Sequence, residues 1–168
     1  MDFELDPPRG VGPLRVGMTR TEADAALAAL RDADVVSESD VPGRHVFRPS
    51  GLMINIHCRN DRLVAVELGR PSSGADAVRF QGVDLFNLPA RAVVEALREK
   101  TPVEAAEDDP ASFVAPDLLL SLWRPFEADD APSEEQGFFF SSVLLAEPGY
   151  YDTPAQAAER VRLSGAGA

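Results

Sequence analysis

The run LMINIHC at residues 52–58 alternates apolar and polar side chains, and RLVAVEL at 62–68 follows after only RND. Successive strand residues point to opposite faces, so two such runs around a tight loop restrict this stretch to an antiparallel hairpin. Leu52, Ile54, Ile56 and Cys58 take one face and Met53, Asn55 and His57 the other. With a three-residue loop, Ile56 falls opposite Val64, Ile54 opposite Val66 and Leu52 near Leu68, giving one apolar face to bury. The other face then sets Met53 beside Glu67, Asn55 beside Ala65 and His57 beside Leu63. The short run HVF at 45–47, joined through the turn RPSG, is expected as a preceding strand that adds Phe47 and His45 to this outer face.

Ahead of these strands stands GVGPLRVGMTRTEADAALAAL, residues 10–30. Thr19 followed three positions later by Glu22 is a capping box: each side chain accepts a hydrogen bond from the other residue's backbone N–H. Met18 precedes the cap and can pack on the first turn, and Gly17 lets the chain turn into the helix. Ala23, Ala26, Leu27 and Leu30 fall on one helical face. A glycine-rich phosphate loop is excluded here. The GxGxxG order is absent, Pro13 removes a donor, and no GK[ST] follows.

The order recurs. LFNLPARAVVEALREK at 85–100 can be laid on the first helix region, Leu88 matching Met18, Pro89 matching Thr19 and Leu97 matching Leu27. Pro89 marks a helix start by a different signal. SFVAPDLLLSLWRP at 112–125 can be laid on the first hairpin, Leu118 matching Leu52, Leu120 matching Ile54, Leu122 matching Ile56 and Trp123 matching His57. Leu119, Ser121 and Trp123 then share the outer face. GFFFSSVLLA at 137–146 takes the third strand, after the acidic insertion FEADDAPSEEQG. The expected fold is α+β in a single domain, 1–168. It is a duplicated helix plus three-stranded antiparallel sheet unit over 10–70 and 80–150, with the helices on one sheet face. A short C-terminal helix is expected over 151–168, capped by Thr153 with Pro154 and Gln156 in its first turn.

The phrase GPLRVGMTRTEADAAL, residues 12–27, is similar to the start of the repeat unit in BamE/SmpA-type and beta-lactamase-inhibitor-like proteins. There a GMTxxE turn opens a helical segment packed on an antiparallel sheet. The resemblance covers about twenty residues clearly and the second copy only dimly. It implies an α+β fold and a non-catalytic role in protein binding. The chain departs from the outer-membrane members in lacking a signal and lipobox cysteine, and from the inhibitors in lacking their cysteines. The GMTxxE opening also resembles that of uncharacterised actinobacterial proteins, a resemblance that fits the arginine and alanine bias.

Net charge narrows the partners. Sixteen Lys and Arg stand against 28 Asp and Glu, a formal charge of −12. Such a surface repels phosphate backbones and anionic lipid, so neither nucleic acid nor a membrane is expected as a partner. Another protein, basic in character, is expected, with a homodimer as the alternative. The single cysteine, Cys58, allows no internal disulfide. No apolar run approaches the ~20 residues of a membrane span. The first ten residues have no apolar signal core, so a cytoplasmic protein is expected.

Little in the chain argues for chemistry. HExxH, GxSxG, Walker and paired CxxC patterns are absent. His57 and Cys58 are neighbours in a strand and therefore cannot meet as a thiol–imidazole pair. His45, His57 and Glu67 are a thin basis for a metal site. The acidic runs EAAEDDP and EADDAPSEE lack the order of a calcium loop. The expected function is a non-catalytic protein-binding module, in one form an acidic inhibitor or immunity-type protein. Its contacts on the outer sheet face are Trp123, His57, Met53, Asn55, Phe47 and Ser121, with no catalytic residue, metal or cofactor. The alternative is a small-molecule-binding or metal-dependent enzyme with a pocket on that face.

Overall fold

The computed structural model describes residues 2–30, 36–38, 43–47, 50–150 and 162. A small sheet contains β1 (Asp2–Asp6), β2 (Gly10–Val11), β3 (Leu14–Arg15), β8 (Ala77–Phe80) and β9 (Val83–Asp84), in the order β3-β2-β1-β8-β9. A large sheet contains β4 (Val36–Glu38), β5 (Arg44–Phe47), β6 (Leu52–Arg59), β7 (Arg62–Gly69), β10 (Glu104–Ala106), β11 (Asp109–Ala115), β12 (Leu120–Trp123) and β13 (Ser142–Ala146). Its order is β10-β11-β12-β13-β7-β6-β5-β4, antiparallel throughout. The helices are short: α1 (Arg20–Ala29), α2 (Ala90–Arg98) and α3 (Glu135–Phe138).

The expected α+β architecture of duplicated helix-plus-three-strand units is therefore overturned. The described residues are mostly β. Four strands rather than three follow each of α1 and α2, and a second sheet accompanies the first. The small sheet escaped the sequence reading because its central pair is parallel and remote, Phe3 of β1 lying opposite Val78 of β8. A pairing of that kind leaves no turn in the sequence to announce it. The expected C-terminal helix lies outside the described residues, apart from Arg162.

The β6–β7 hairpin keeps its predicted faces in a different register. The turn has two residues, not three: Asn60 and Asp61 both take left-handed φ, 51° and 60°, and Arg59 pairs with Arg62. Short polar side chains tolerate that conformation, and a turn with two left-handed central residues matches strand twist. One further step comes from a bulge: Cys58 pairs with Leu63 but His57 with Ala65, so Val64 is the extra residue. Together the two steps move Ile54 opposite Leu68 and Ile56 opposite Val66. A displacement of two residues preserves the face, and Leu52, Ile54 and Ile56 are buried as expected.

Phe47 is a correction. β5 pairs with β6 so that Phe47 faces Leu52 and His45 faces Ile54, which puts both on the buried side of the sheet. Phe47 is only 2% exposed, and its ring meets Phe3 of the small sheet edge-on at 5.7 Å. A run as short as HVF carries too little alternation to fix which side faces in.

Both long helices lie on that same side. One row of paired residues crosses six strands, Phe113–Leu122–Val143–Leu68–Ile54–His45. At one end the Arg98 guanidinium of α2 covers the Phe113 ring, and at the other His45 Nε2 lies 3.6 Å from Asp24 of α1. The capping box forms: the Glu22 amide donates to Thr19 Oγ1 (3.1 Å) and the Thr19 amide to Glu22 Oε2 (2.9 Å). Gly17 and Met18 do more than lead into it. The Gly17 amide donates to the Leu63 carbonyl and the Leu63 amide to the Met18 carbonyl, both at 2.8 Å, and Thr19 bridges to Arg62. The helix start is thus stitched to β7, with Gly17 at a φ of 92° that favours glycine. α2 starts differently. Pro89 occupies the cap without a side-chain bond, and its apolar face, Ala90, Val93, Val94 and Leu97, is buried.

The acidic insertion is tied down by a buried base. Arg124 is 2% exposed. It donates from Nε to the Ala111 carbonyl (2.7 Å) and from one terminal nitrogen to the Gly137 carbonyl (2.7 Å) and Asp129 Oδ1 (2.6 Å). Arg91 of α2 adds ion pairs to Asp129 and Asp130. Partial burial pushes the Asp129 carboxyl up. The hydrogen bond and charge of Arg124, with help from Glu127 and Arg91, outweigh it and hold the group below its usual range.

Two outcomes are expected. Thr19→Ala should cost about 1 kcal/mol in chemical denaturation, and Glu22→Ala made in the Thr19→Ala background should cost less than it does alone. Asp129→Asn should destabilise the protein by about 3 kcal/mol at neutral pH, because Arg124 stays buried without its counter-charge. Since the folded-state pKa of Asp129 is depressed, its contribution is present above the ordinary carboxylate range and lost as pH falls through the lowered value. The difference between the two proteins should therefore begin to shrink only as pH falls below about 4, and go on shrinking as the pH drops further.

Candidate functional site: the outer face of the large sheet

Pairing across the strands defines the face opposite the helices. One row runs Glu104–Val114–Ser121–Leu144–Glu67–Asn55–Arg44 across seven strands. The next runs Trp123–Ser142–Gly69–Met53–Val46, and a third contains Ala146–Ala65–His57. Five of the six sequence-predicted contacts, Trp123, His57, Met53, Asn55 and Ser121, thus share one face of one sheet. Phe47 does not.

These five form two groups. Trp123 and Ser121 stand on β12, Met53, Asn55 and His57 on β6, with β13 and β7 between. Three strand spacings separate the groups, roughly 14 Å. Within the β6 group the Arg44 Nε donates to Asn55 Oδ1 (3.0 Å), and His57 Nε2 lies 3.7 Å from Glu67 Oε2. Glu67 stands beside Asn55 rather than Met53, and His57 beside Ala65 rather than Leu63, as the shifted register requires. Met53 instead lies over Gly69. A Cβ there would stand 2.8 Å from the Met53 terminal methyl, so the absence of a side chain on β7 is what lets the thioether lie flat.

The β12 group is the more apolar. Trp123 is 47% exposed, and Leu144, Val114 and Leu119 are partly exposed beside it. The face also carries Arg44, Val46, Glu104 and Leu144, which the sequence reading did not name. Their signal was the parity of each strand, legible only once β5, β10 and β13 have known registers.

The groups capable of chemistry are kept apart. His45 lies under α1 and His57 on the opposite face, so no site can use both. Cys58 packs against the core, and burial pushes its thiol up from the ordinary value, away from the nucleophilic thiolate. No group of three or more His, Cys, Asp or Glu is positioned to hold a metal among the described residues. No helix among them is long and apolar enough to cross a membrane.

No protein-family model matches the chain, and no curated protein and no solved structure matches it either.

Proposed function

We propose that this chain is a non-catalytic protein-binding module that engages its partner through the outer face of the large sheet. The observation that carries the reading is the lone tryptophan, Trp123, half exposed on the face turned away from both long helices. Apolar side chains on a sheet face in water are costly unless they are contact surface, and tryptophan is favoured at binding hot spots. Val46, Met53, Val114 and Leu144 extend the apolar area on the same face, while Asn55, His57, Glu67 and Ser121 supply hydrogen-bonding groups. A tryptophan and a methionine among polar neighbours support the reading, since aromatic residues and Met are enriched at interfaces. The net charge of −12 favours a basic partner, as for an acidic inhibitor or immunity-type protein. The resemblance of residues 12–27 to the BamE/SmpA-type and beta-lactamase-inhibitor-like repeat leans the same way. A cytoplasmic setting is part of the proposal, consistent with a single cysteine and no disulfide.

The test compares Trp123→Ala with Phe47→Ala. Trp123→Ala should change stability by less than about 1 kcal/mol and abolish partner capture from the native lysate. Phe47→Ala should cost about 3–5 kcal/mol. Equal capture by Trp123→Ala and the unaltered protein overturns the reading. A micromolar dimer in sedimentation that Trp123→Ala dissolves assigns the face to self-association instead.

A further inference from the structure

We infer that the half of the outer face built from β7 and β10–β13 receives a basic segment carrying one large apolar side chain. This rests on the protein-binding reading above and names the chemistry of the partner. The starting point is a recess of about 280 Å3 lined by Val114, Ala115, Pro116, Leu119, Leu120 and Ser121. It opens where β11 ends in a 3-10 turn at Pro116–Leu118 and Leu119 takes a left-handed φ of 53° before β12 begins. Every lining side chain except Ser121 is apolar. The recess lies at the lower end of the ~300–1,000 Å3 typical of pockets for small ligands, and has room for one anchoring side chain.

The side chains that flank it along the outer face are carboxylates. Along the row that crosses it, Glu104 stands on one side, next to Val114, and Glu67 on the other, next to Leu144. Asp117 stands exposed on the turn that closes it. Strands β10 to β13 contain no lysine or arginine, and the one base of β7, Arg62, donates to the Gly17 carbonyl. Arg98 and Lys100 line an adjoining cleft at the β10 edge that shares Pro116 with the recess and also includes Glu104, and Arg98 is engaged there with Phe113 and the Val103 carbonyl. The other half of the face differs, since Arg44 stands there beside Asn55. An apolar anchor flanked by cations is therefore matched on this half, whereas one flanked by carboxylates meets like charge on both sides. Trp123, on the same strand as Ser121 and two residues along it, offers an exposed ring face to a flanking cation.

The full-length protein is titrated with three capped pentapeptides, Gly-Lys-Phe-Lys-Gly, Gly-Glu-Phe-Glu-Gly and Gly-Lys-Ala-Lys-Gly, followed by tryptophan fluorescence and amide chemical shifts. The first should perturb the amides of Val114, Ser121 and Leu144 and the Trp123 emission. It should bind at least ten-fold more tightly than either control, and lose affinity as salt is raised. The double variant Glu67→Gln with Glu104→Gln should erase most of its advantage over the alanine peptide. Equal binding of the three peptides, or shifts confined to the amides of Arg44 and His57, overturns the inference. Should Trp123→Ala still abolish partner capture while the lysine and glutamate peptides bind alike, the basic-anchor inference falls and the broader protein-binding reading stands.

Discussion

The pairing of β7 with β13 is the contact on which the rest of the molecule depends. Ser142 to Ala146 lie against Gly69 to Ala65, joining segments more than seventy residues apart in the chain into one sheet. The seam buries Val66, Leu68, Val143 and Leu145 on its helix side. β7 is also where other elements attach. Leu63 bonds the start of α1, and just past the strand Arg70 donates to the Phe86 carbonyl and lies 4.0 Å above the Phe139 ring. Without the seam, both halves of the large sheet would end in open edges and the outer face would not exist as a continuous surface.

What could be read in the sequence was local. The capping box of Thr19 and Glu22, the start of α2 at Pro89 and the inward set Leu52, Ile54 and Ile56 depend on residues a few positions apart. Parity within a strand was also enough to put His57 with Met53 and Asn55, and Trp123 with Ser121. The failures involve distant partners. Phe47 faces inward because Phe3 of another sheet is waiting for it, and nothing within HVF says so. The hairpin register depended on a two-residue turn and a bulge at Val64, each worth one step. Arg124 looks like a surface residue in WRPFEADD. It is buried because Ala111, Asp129 and Gly137, from three separate stretches, converge on its guanidinium.

The outer face inherits an asymmetry from this construction. On the β5–β6 side, polar groups are gathered together, as in the Arg44–Asn55 bond and the 3.7 Å approach of His57 to Glu67. On the β11–β13 side, apolar groups and carboxylates are left facing outward. A surface divided in this way can orient a partner, because only one rotation brings the partner's polar and apolar patches onto the matching halves. The large sheet thus carries two different neighbourhoods on one platform, and Gly69 with Met53 marks the boundary between them.

The distance along the chain between the two seam strands also shapes how the protein is made. Ser142 is synthesised 73 positions after Gly69, its partner. At ribosomal speeds of about 5–20 residues per second, the backbone of β7 stands without its neighbour for roughly 4–15 s. During that interval an apolar edge containing Val64, Val66 and Leu68 is open to any passing strand. The capped start of α1, bonded to Leu63 and Arg62, belongs to the part of the chain already made. It can shield one end of that edge while the remainder of the sheet is still being assembled.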